Sequence, residues 1–151
     1  MANVTTLSAG SNNSLAIGTS VPKTYKFEVD IADAVTAGLL TTEYVTVFTF
    51  PADTYLEILN IEVTTACSLG AGARIDVGDT TDDDEFVTNA TTLTAGTNLT
   101  LTADSVKTLV AADEIRLKVT GGTIASGVIS FVVRATDISP RLNAKAPTYT
   151  N

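Results

Sequence analysis

The sequence predicts an all-β fold, a single antiparallel β-sandwich of about eight strands that is jelly-roll-like and has extended N- and C-terminal arms. Apolar and polar residues alternate over short segments, most regularly where Ile115, Leu117 and Val119 are interleaved with charged residues. A period of two places successive side chains on opposite faces of a strand. Threonine, which favours strands, is the commonest residue. Gly, Asp and Ala turns separate the segments, and no segment shows a helical period of useful length.

The chain divides into an arm, a sandwich and a tail. Residues 1–22 are rich in Ala, Ser, Asn, Thr and Gly and predict an N-terminal arm. Residues 23–137 carry the alternating segments and predict one sandwich domain, which suits a chain of 151 residues. Residues 138–151 contain Pro and Asn and predict a C-terminal tail.

The first predicted strand is Lys23–Ala32, with Tyr25, Phe27, Val29 and Ile31 on one face. Ala32–Leu40 then predicts either one helical turn or an ordered connection. The other strands are predicted at Glu43–Phe50, Thr54–Ala66, Ala73–Gly78, Thr97–Thr102, Val106–Val110, Glu114–Thr120 and Gly127–Thr136.

The second and third strands are predicted to form a β-hairpin joined at Pro51-Ala52-Asp53. In the second strand, Val45, Val47 and Thr49 share one face. In the third strand the alternation places Leu59, Ile61 and Val63 together. The third strand is long, so a bulge or bend within it is expected.

The inward faces of the later strands follow from the same alternation. Phe86-Val87 predicts a short apolar anchor after an acidic loop. The residues predicted to face the core in the fourth and last strands are Ala73, Ile75, Val77, Ile129, Phe131, Val133 and Ala135.

Composition excludes several function classes. The formal charge is −8 and the nine basic residues are scattered singly, so the chain lacks the basic patch that nucleic acid requires. The absence of His excludes a Ser-His-Asp triad, a Cys-His pair and an imidazole metal ligand. With few aromatic residues and no Trp, paired carboxylates have no platform for a sugar. We therefore predict a protein that is not an enzyme and has no cofactor.

Cys67 is the single cysteine, which excludes an intrachain disulfide. It follows the third predicted strand, where a free cysteine is typically a small buried hydrophobe rather than a reactive nucleophile.

The strongest chemical cluster is an acidic run after the fourth strand. Carboxylate oxygens are the ligands of Ca²⁺, but the spacing does not match an EF-hand loop. We predict a solvated loop tip and no metal, with a Ca²⁺ site and a contact with a basic partner surface as alternatives. The five acidic residues are Asp79, Asp82, Asp83, Asp84 and Glu85.

No apolar run approaches the ~20 residues that span a bilayer, and Met1 to Ile17 lacks the regions of a signal peptide. These features predict a protein that is made in the cytoplasm and has no membrane partner.

Several motifs occur in a fixed order. Residues 45–53 (VTVFTFPAD) and 62–66 (EVTTA) are followed by residues 74–79 (RIDVGD), an Asp-rich loop closing on Phe86, residues 111–117 (AADEIRL) and a Gly-flanked strand from Gly127 to Arg134. Over residues 23–137 this order resembles the small β-sandwich virion proteins of tailed bacteriophages, of the head decoration (cement) or head-fibre type.

The resemblance implies a non-enzymatic structural protein on the phage head surface. Such proteins bind the major capsid protein and stabilise the assembled head. They also associate with themselves, which implies a homo-oligomer, a trimer in preference to a dimer. The alternative is a carbohydrate- or receptor-binding jelly-roll module of a phage tail or fibre.

If the two arms make the partner contacts, their apolar residues are the candidates. These are Val4, Leu7, Leu15, Ile17, Leu142 and Tyr149.

Overall fold

A computed structural model describes residues 21–40 and 44–138 of the chain. These ranges contain nine strands and one short helix. The elements are β1 (Lys23–Asp30), α1 (Ile31–Thr36), β2 (Val45–Phe50), β3 (Thr54–Thr65), β4 (Arg74–Gly78), β5 (Val87–Ala90), β6 (Thr97–Asn98), β7 (Val106–Leu109), β8 (Asp113–Thr120) and β9 (Val128–Asp137).

The strands form two antiparallel sheets. Sheet A has the order β1-β9-β3-β6, and β7 also pairs with β3. Sheet B has the order β2-β8-β4-β5. The strands β6 and β7 pair with the two ends of one edge of β3, at Glu62–Val63 and at Thr54–Glu57, so they act as a single interrupted strand.

The pairing joins the first half of the chain to the second half. β1 pairs with β9, β2 with β8, β3 with β6 and β7, and β4 with β5. A long antiparallel ribbon with these pairs, rolled so that alternate pairs fall into opposite sheets, is a jelly roll. The predicted all-β sandwich is therefore confirmed for the described residues. The predicted arms (1–22 and 138–151) lie almost wholly outside them, and the domain boundaries stay a prediction.

The core is the apolar layer between the sheets. Phe27 of β1 stacks on Phe48 of β2 with ring centroids 4.5 Å apart, and Phe48 meets Phe50 edge-on at 4.6 Å. Phe131 of β9 and Phe86 ahead of β5 are buried in the same layer. Aromatic rings from both sheets thus pack together where the edge strands β1 and β2 face each other.

The predicted helical turn after the first strand is confirmed, although it begins earlier than expected. Asp30 is the N-cap of α1, and its carboxylate accepts hydrogen bonds from the backbone N–H groups of Ala32 (2.9 Å) and Asp33 (3.2 Å). β1 therefore ends at Asp30 and not at Ala32. Ile31 is fully buried as predicted, but as the first residue of the helix.

The predicted hairpin of the second and third strands is wrong. β2 lies in sheet B and β3 lies in sheet A, so the two strands are joined by a corner and do not pair. Asp53 adopts a left-handed conformation (φ 57°), and the Thr54 hydroxyl donates to the Pro51 carbonyl at 2.9 Å. Phe50 and Thr54 are both buried on either side of this corner.

Two bulges shift the alternation that the sequence suggests. In β3 the register slips between Ile58 and Asn60, so Leu59 is the extra residue and is 40% exposed. The prediction that Leu59 shares a face with Ile61 is wrong, because Ile58 takes the core position. A slip in β2 between Thr46 and Phe48 likewise brings Phe50 to the buried face. The predicted bulge in the third strand is confirmed.

The remaining predicted strands are present with changed ends. The fifth predicted strand shortens to β6, although the Leu99 N–H still donates to the Ile61 carbonyl of β3 at 2.8 Å, and β5 was not predicted as a strand. The inward residues of β4 and β9 are confirmed, and Phe86 and Val87 are buried as the predicted anchor.

The bulge in β3 can be tested by paired alanine substitutions. Ile58→Ala should lower the free energy of unfolding by about 3 kcal/mol, because it removes a buried side chain. Leu59→Ala removes a side chain of the same size from the exposed position and should cost less than about 0.5 kcal/mol. Urea unfolding in dilute solution measures both values. Equal costs, or a larger cost for Leu59→Ala, would contradict the register.

Candidate functional site

The acidic loop between β4 and β5 is not uniformly solvated. Asp82 is exposed and Asp83 is half-exposed, as the prediction of a solvated loop requires. Asp79 is only 2% exposed, so for this residue the prediction is wrong. Its Oδ1 atom accepts hydrogen bonds from the backbone N–H groups of Thr81 (2.6 Å) and Asp82 (3.0 Å), which compensate for its burial.

A lysine from the opposite sheet pairs with two carboxylates of this loop. Lys107 of β7 contacts the Asp79 carboxylate, and its Nζ lies 2.8 Å from Glu85 Oε2. Asp79 and Glu85 flank the loop of sheet B, whereas Lys107 belongs to sheet A. We call these three residues the inter-sheet ion cluster. It joins the two sheets at the open edge of the sandwich, beside the apolar core.

The ion cluster shifts the protonation of its members in opposite directions. Burial alone would raise the pKa of Asp79, but hydrogen bonds from Glu85, Lys107 and two backbone N–H groups hold it well below its usual range. Burial, together with the neighbouring Asp79, raises the pKa of Glu85. Burial alone would lower the pKa of Lys107, but the two carboxylates raise it. Asp79 and Lys107 thus form the charged pair, and Glu85 is the group that binds a proton more readily.

The sequence analysis missed Lys107, because Val106 and Val110 alternate with Lys107 and Leu109 and either face could point inward. Leu109 is buried and lies two residues further along the same strand. Because the strand period is two, Lys107 must point to the core side as well. A lysine there requires a carboxylate partner, and the acidic loop is the nearest source in the fold.

The loop backbone is also tightly packed. The Asp79 N–H donates to the Asp82 carbonyl at 2.8 Å, and a Cβ atom on Gly78 would overlap the backbone of Asp82 and Asp83. The Thr80 hydroxyl donates to Asp113 Oδ1 at 2.7 Å. The loop therefore has one defined conformation, supported by its own backbone and by β8.

The carboxylates of the loop contact different partners, and they do not converge on one point. Asp83 pairs with Lys118 of β8, and Asp82 Oδ1 accepts a hydrogen bond from the Asp84 N–H at 3.2 Å. A hydrogen bond between the side chains of Asp84 and Asp82, together with the nearby Asp82 charge, raises the pKa of Asp84. Within residues 21–40 and 44–138, no group of three or more potential ligands is arranged to hold a metal ion. The Ca²⁺ alternative therefore has no support from the described residues.

A small crevice lies beside the ion cluster. It has an empty volume of about 180 Å³ and is bordered by Asp79, Lys107, Asp113 and Glu114 above an apolar floor that includes Phe50. Ligand sites for small molecules usually measure about 300 Å³ or more. The crevice lies at the edge of the sandwich and is smaller than these sites.

Cys67 is only half-buried, whereas the sequence predicted a buried side chain. Burial raises the pKa of the Cys67 thiol to about 11, so the nucleophilic thiolate is scarce at neutral pH. A Cβ atom on Gly127 would overlap the Cys67 side chain. The cysteine thus fills space against a glycine.

The outer face of sheet B is occupied by polar contacts within the chain. Arg116 donates to Glu114 Oε1 at 2.5 Å, and its guanidinium lies 3.9 Å from the centre of the Tyr44 ring. The Thr46 hydroxyl donates to the other oxygen of Glu114 at 3.2 Å. In β4, Asp76 is 7% exposed, and Thr120 Oγ1 donates to it at 2.8 Å.

The outer face of sheet A differs, because it leaves apolar side chains uncovered. Tyr55, Leu59 and Val106 are 40%, 40% and 43% exposed. They surround Glu57, which is the cross-strand partner of Val106 and which accepts two hydrogen bonds from Arg134, at 2.9 and 2.7 Å. We call these five residues the outer-face patch. The sequence did not indicate it, because Leu59 reaches this face only through the bulge.

The apolar surface extends toward the β2–β3 corner. Leu109 and Asp137 both pair with Thr54, and the residues that follow them, Val110 and Ile138, are 87% and 45% exposed. Exposed apolar patches of this kind mark contact surfaces in soluble proteins.

The six apolar arm residues named from the sequence lie outside the described ranges. Their predicted role in partner binding is untested by the structure. They are Val4, Leu7, Leu15, Ile17, Leu142 and Tyr149.

No model of a known protein family matches the sequence, and no curated protein matches it. Among solved structures, the chain is similar to a chain of the cyanophage Pam1 capsid asymmetric unit, with a TM-score of 0.60 and 17% identity. The match covers 85% of this chain and 93% of that chain. At this identity the similarity shows a shared fold. The helix α1, at six residues, is too short to cross a bilayer, and the described ranges hold no other helix.

The inter-sheet ion cluster can be tested with Lys107→Met. This change leaves the Asp79 carboxylate, whose side chain is 3% exposed, without a cation, and should lower the free energy of unfolding at pH 7 by about 3 kcal/mol. Lys118→Met removes the same charge from an exposed pair, with side chains 36% and 43% exposed, and should cost less than about 1 kcal/mol. Urea unfolding at several pH values measures both.

The pH dependence of the cost of Lys107→Met distinguishes an electrostatic effect from a steric one. Because the folded state lowers the pKa of Asp79, the stability from its pair is present above the ordinary value of about 3.9 and is lost as the pH falls through the folded pKa. In Lys107→Met, burial favours protonated Asp79, so the cost of the substitution should shrink between about pH 7 and pH 4. A cost that is constant over this range would indicate a purely steric effect.

The packing of the acidic loop can be tested at Gly78. Gly78→Ala should lower the free energy of unfolding by about 3 kcal/mol, because the added methyl overlaps backbone rather than a movable side chain. Gly96→Ala is the control, since Gly96 has a positive φ of 82° but nothing within 4 Å of an added Cβ. It should cost about 1 kcal/mol. If Gly78→Ala lowers the free energy of unfolding by no more than Gly96→Ala does, the loop backbone can move to accommodate the added methyl group.

Proposed function

We propose that this protein is a non-enzymatic structural component of a phage virion, a decoration protein that binds the assembled head and stabilises it. The observation that carries the proposal is the structural similarity to a chain of a cyanophage capsid asymmetric unit, which spans 93% of that chain. The match covers 85% of this chain, so most of the protein, and not a small fragment of it, is similar to a protein found in a capsid.

The distribution of polar groups supports a structural role. In the described residues, ionisable groups next to the core pair with one another in the inter-sheet ion cluster, where Lys107 bridges Asp79 and Glu85. The half-buried Cys67 has a raised pKa, and the crevice of about 180 Å³ is smaller than the usual ligand sites. These groups stabilise the fold, and within residues 21–40 and 44–138 none of them is arranged for acid, base or nucleophilic chemistry.

A decoration protein acts by mass action. A protein that binds the assembled shell, and not the free subunits, shifts the equilibrium toward assembly by its binding free energy. A rigid sandwich suits this role, because little conformational entropy is lost when it docks. The major capsid protein is the proposed partner and the head surface the proposed location.

Binding to heads is the decisive measurement. Heads of the phage that carries this gene, prepared without the protein, should bind the purified protein saturably in a sedimentation assay and should then resist heating better. Unassembled capsid subunits and heads of an unrelated phage are the controls. Failure to sediment with its own heads would refute the proposal, and binding to a glycan array instead would favour the carbohydrate- or receptor-binding alternative.

The proposed arm contacts can be tested in the same assay. A full-length variant carrying Leu142→Ser and Tyr149→Ser should bind heads at least about tenfold more weakly, because apolar anchors dominate the binding energy of interfaces. Its circular dichroism and urea unfolding should match those of the wild type. Unchanged binding by this variant and by a second one carrying Leu7→Ser and Ile17→Ser would exclude these arm residues as contacts.

A further inference from the structure

The outer-face patch is close to neutral on a strongly acidic chain. The whole chain carries a formal charge of −8, yet Glu57 is balanced by Arg134 within the patch, and Lys26 on the neighbouring β1 is paired with Glu28 at 3.0 Å. Two copies of an acidic protein repel each other over most of their surface. They can approach with the least repulsion where charge is balanced and apolar groups are exposed.

The register of sheet A makes the patch complementary to itself. Glu57 lies opposite Arg134 across the β3–β9 ladder, Tyr55 lies opposite Thr136, and Asn60 lies opposite Val132. A residue on β3 and its cross-strand partner on β9 thus lie on opposite sides of a line that runs between these two strands.

We propose that the outer-face patch is the contact between two copies of this chain, related by a two-fold axis that runs parallel to β3 and β9 and between them. The axis exchanges the two strands, so each residue of one copy faces the cross-strand partner of its equivalent in the other copy. A two-fold interface uses the same patch on both copies, as this arrangement requires.

The contacts that this axis creates are favourable. Glu57 of one copy faces Arg134 of its partner, and the same pair forms again on the other side of the axis. Leu59, which bulges beside Asn60, faces Val132 of the second copy, and Val106 faces the Thr24 methyl group. A central Arg–Glu pair ringed by apolar and Tyr side chains has the composition of interface hot spots.

Other placements of the axis are less favourable. An axis perpendicular to the strands through Glu57 would place Glu57 against its own copy, and like charges in contact cost several kcal/mol. The outer face of sheet B offers no equivalent surface, because its charged groups are engaged with Glu114, Asp76 and Asp83 within the chain. Charge pattern and exposure therefore both select sheet A.

The test is the mass of the purified full-length protein in solution. We expect a dimer by sedimentation velocity and light scattering at micromolar concentrations. Arg134→Glu should raise its dissociation constant by about a hundredfold or more, because it places two carboxylates together twice across the axis. Lys118→Glu changes the net charge equally on the outer face of sheet B, at a similarly exposed ion pair (36% and 43%), and should leave the dimer intact.

The reciprocal change separates the interface from the fold. The double variant Glu57→Arg, Arg134→Glu restores opposite charges within each copy and between copies, so it should dimerise again. Arg134→Glu itself should stay folded by circular dichroism, because the Glu57–Arg134 pair is partly exposed. A monomer at all micromolar concentrations, a trimer, or a dimer unaffected by Arg134→Glu would overturn the proposal. These measurements use the protein alone, so they are independent of head binding.

Discussion

The burial of one face of each sheet against the other is the constraint on which the rest of the structure depends. The strands present apolar side chains to a single layer between the sheets, and Phe27, Phe48 and Phe50 close that layer where the edge strands β1 and β2 face each other. Where apolar and polar residues do not alternate regularly, a bulge shifts the register so that apolar side chains still face the layer, as at Leu59. Where the layer reaches the edge of the sandwich, Lys107 takes an inward position and requires Asp79 from the other sheet. The bulge and the ion cluster are thus two consequences of one requirement.

The sequence predicted the class of fold because regular alternation is a local property. β8 and β9 were located nearly to the residue, since Ile115–Val119 and Ile129–Ala135 alternate without interruption. The failures share a different cause, because pairing is not local. Nothing in Pro51-Ala52-Asp53 distinguishes a hairpin turn from a corner between sheets, and only the partners of β2 and β3 decide it.

The candidate site was predicted less well than the fold, for the same physical reason. The acidic run is conspicuous in the sequence, yet the environment of each carboxylate depends on which cation reaches it from elsewhere in the chain. Asp79 is buried because Lys107 lies across the edge of the sandwich, and Asp83 is exposed because its partner Lys118 is on an outer face. The positions of the charges along the sequence do not show which of these two carboxylates is buried and which is exposed. The inward position of Lys107 does not follow from the sequence either, because Val106 and Val110 alternate with Lys107 and Leu109.

The two outer faces of the sandwich have different chemistry, and this difference bears on how one small domain could meet several partners. Sheet B satisfies its charged groups internally, so a partner there would have to displace the Arg116–Glu114 and Lys118–Asp83 contacts without better replacements. Sheet A leaves Tyr55, Leu59 and Val106 uncovered around one balanced ion pair. If a second copy covers sheet A, the contacts with a shell must come from the remaining surfaces, namely the edge strands, the loops at the ends of the sandwich and the two terminal segments. Self-association and shell binding would then use separate surfaces. A pair of copies could bind the shell at two points, which raises the avidity without enlarging either contact.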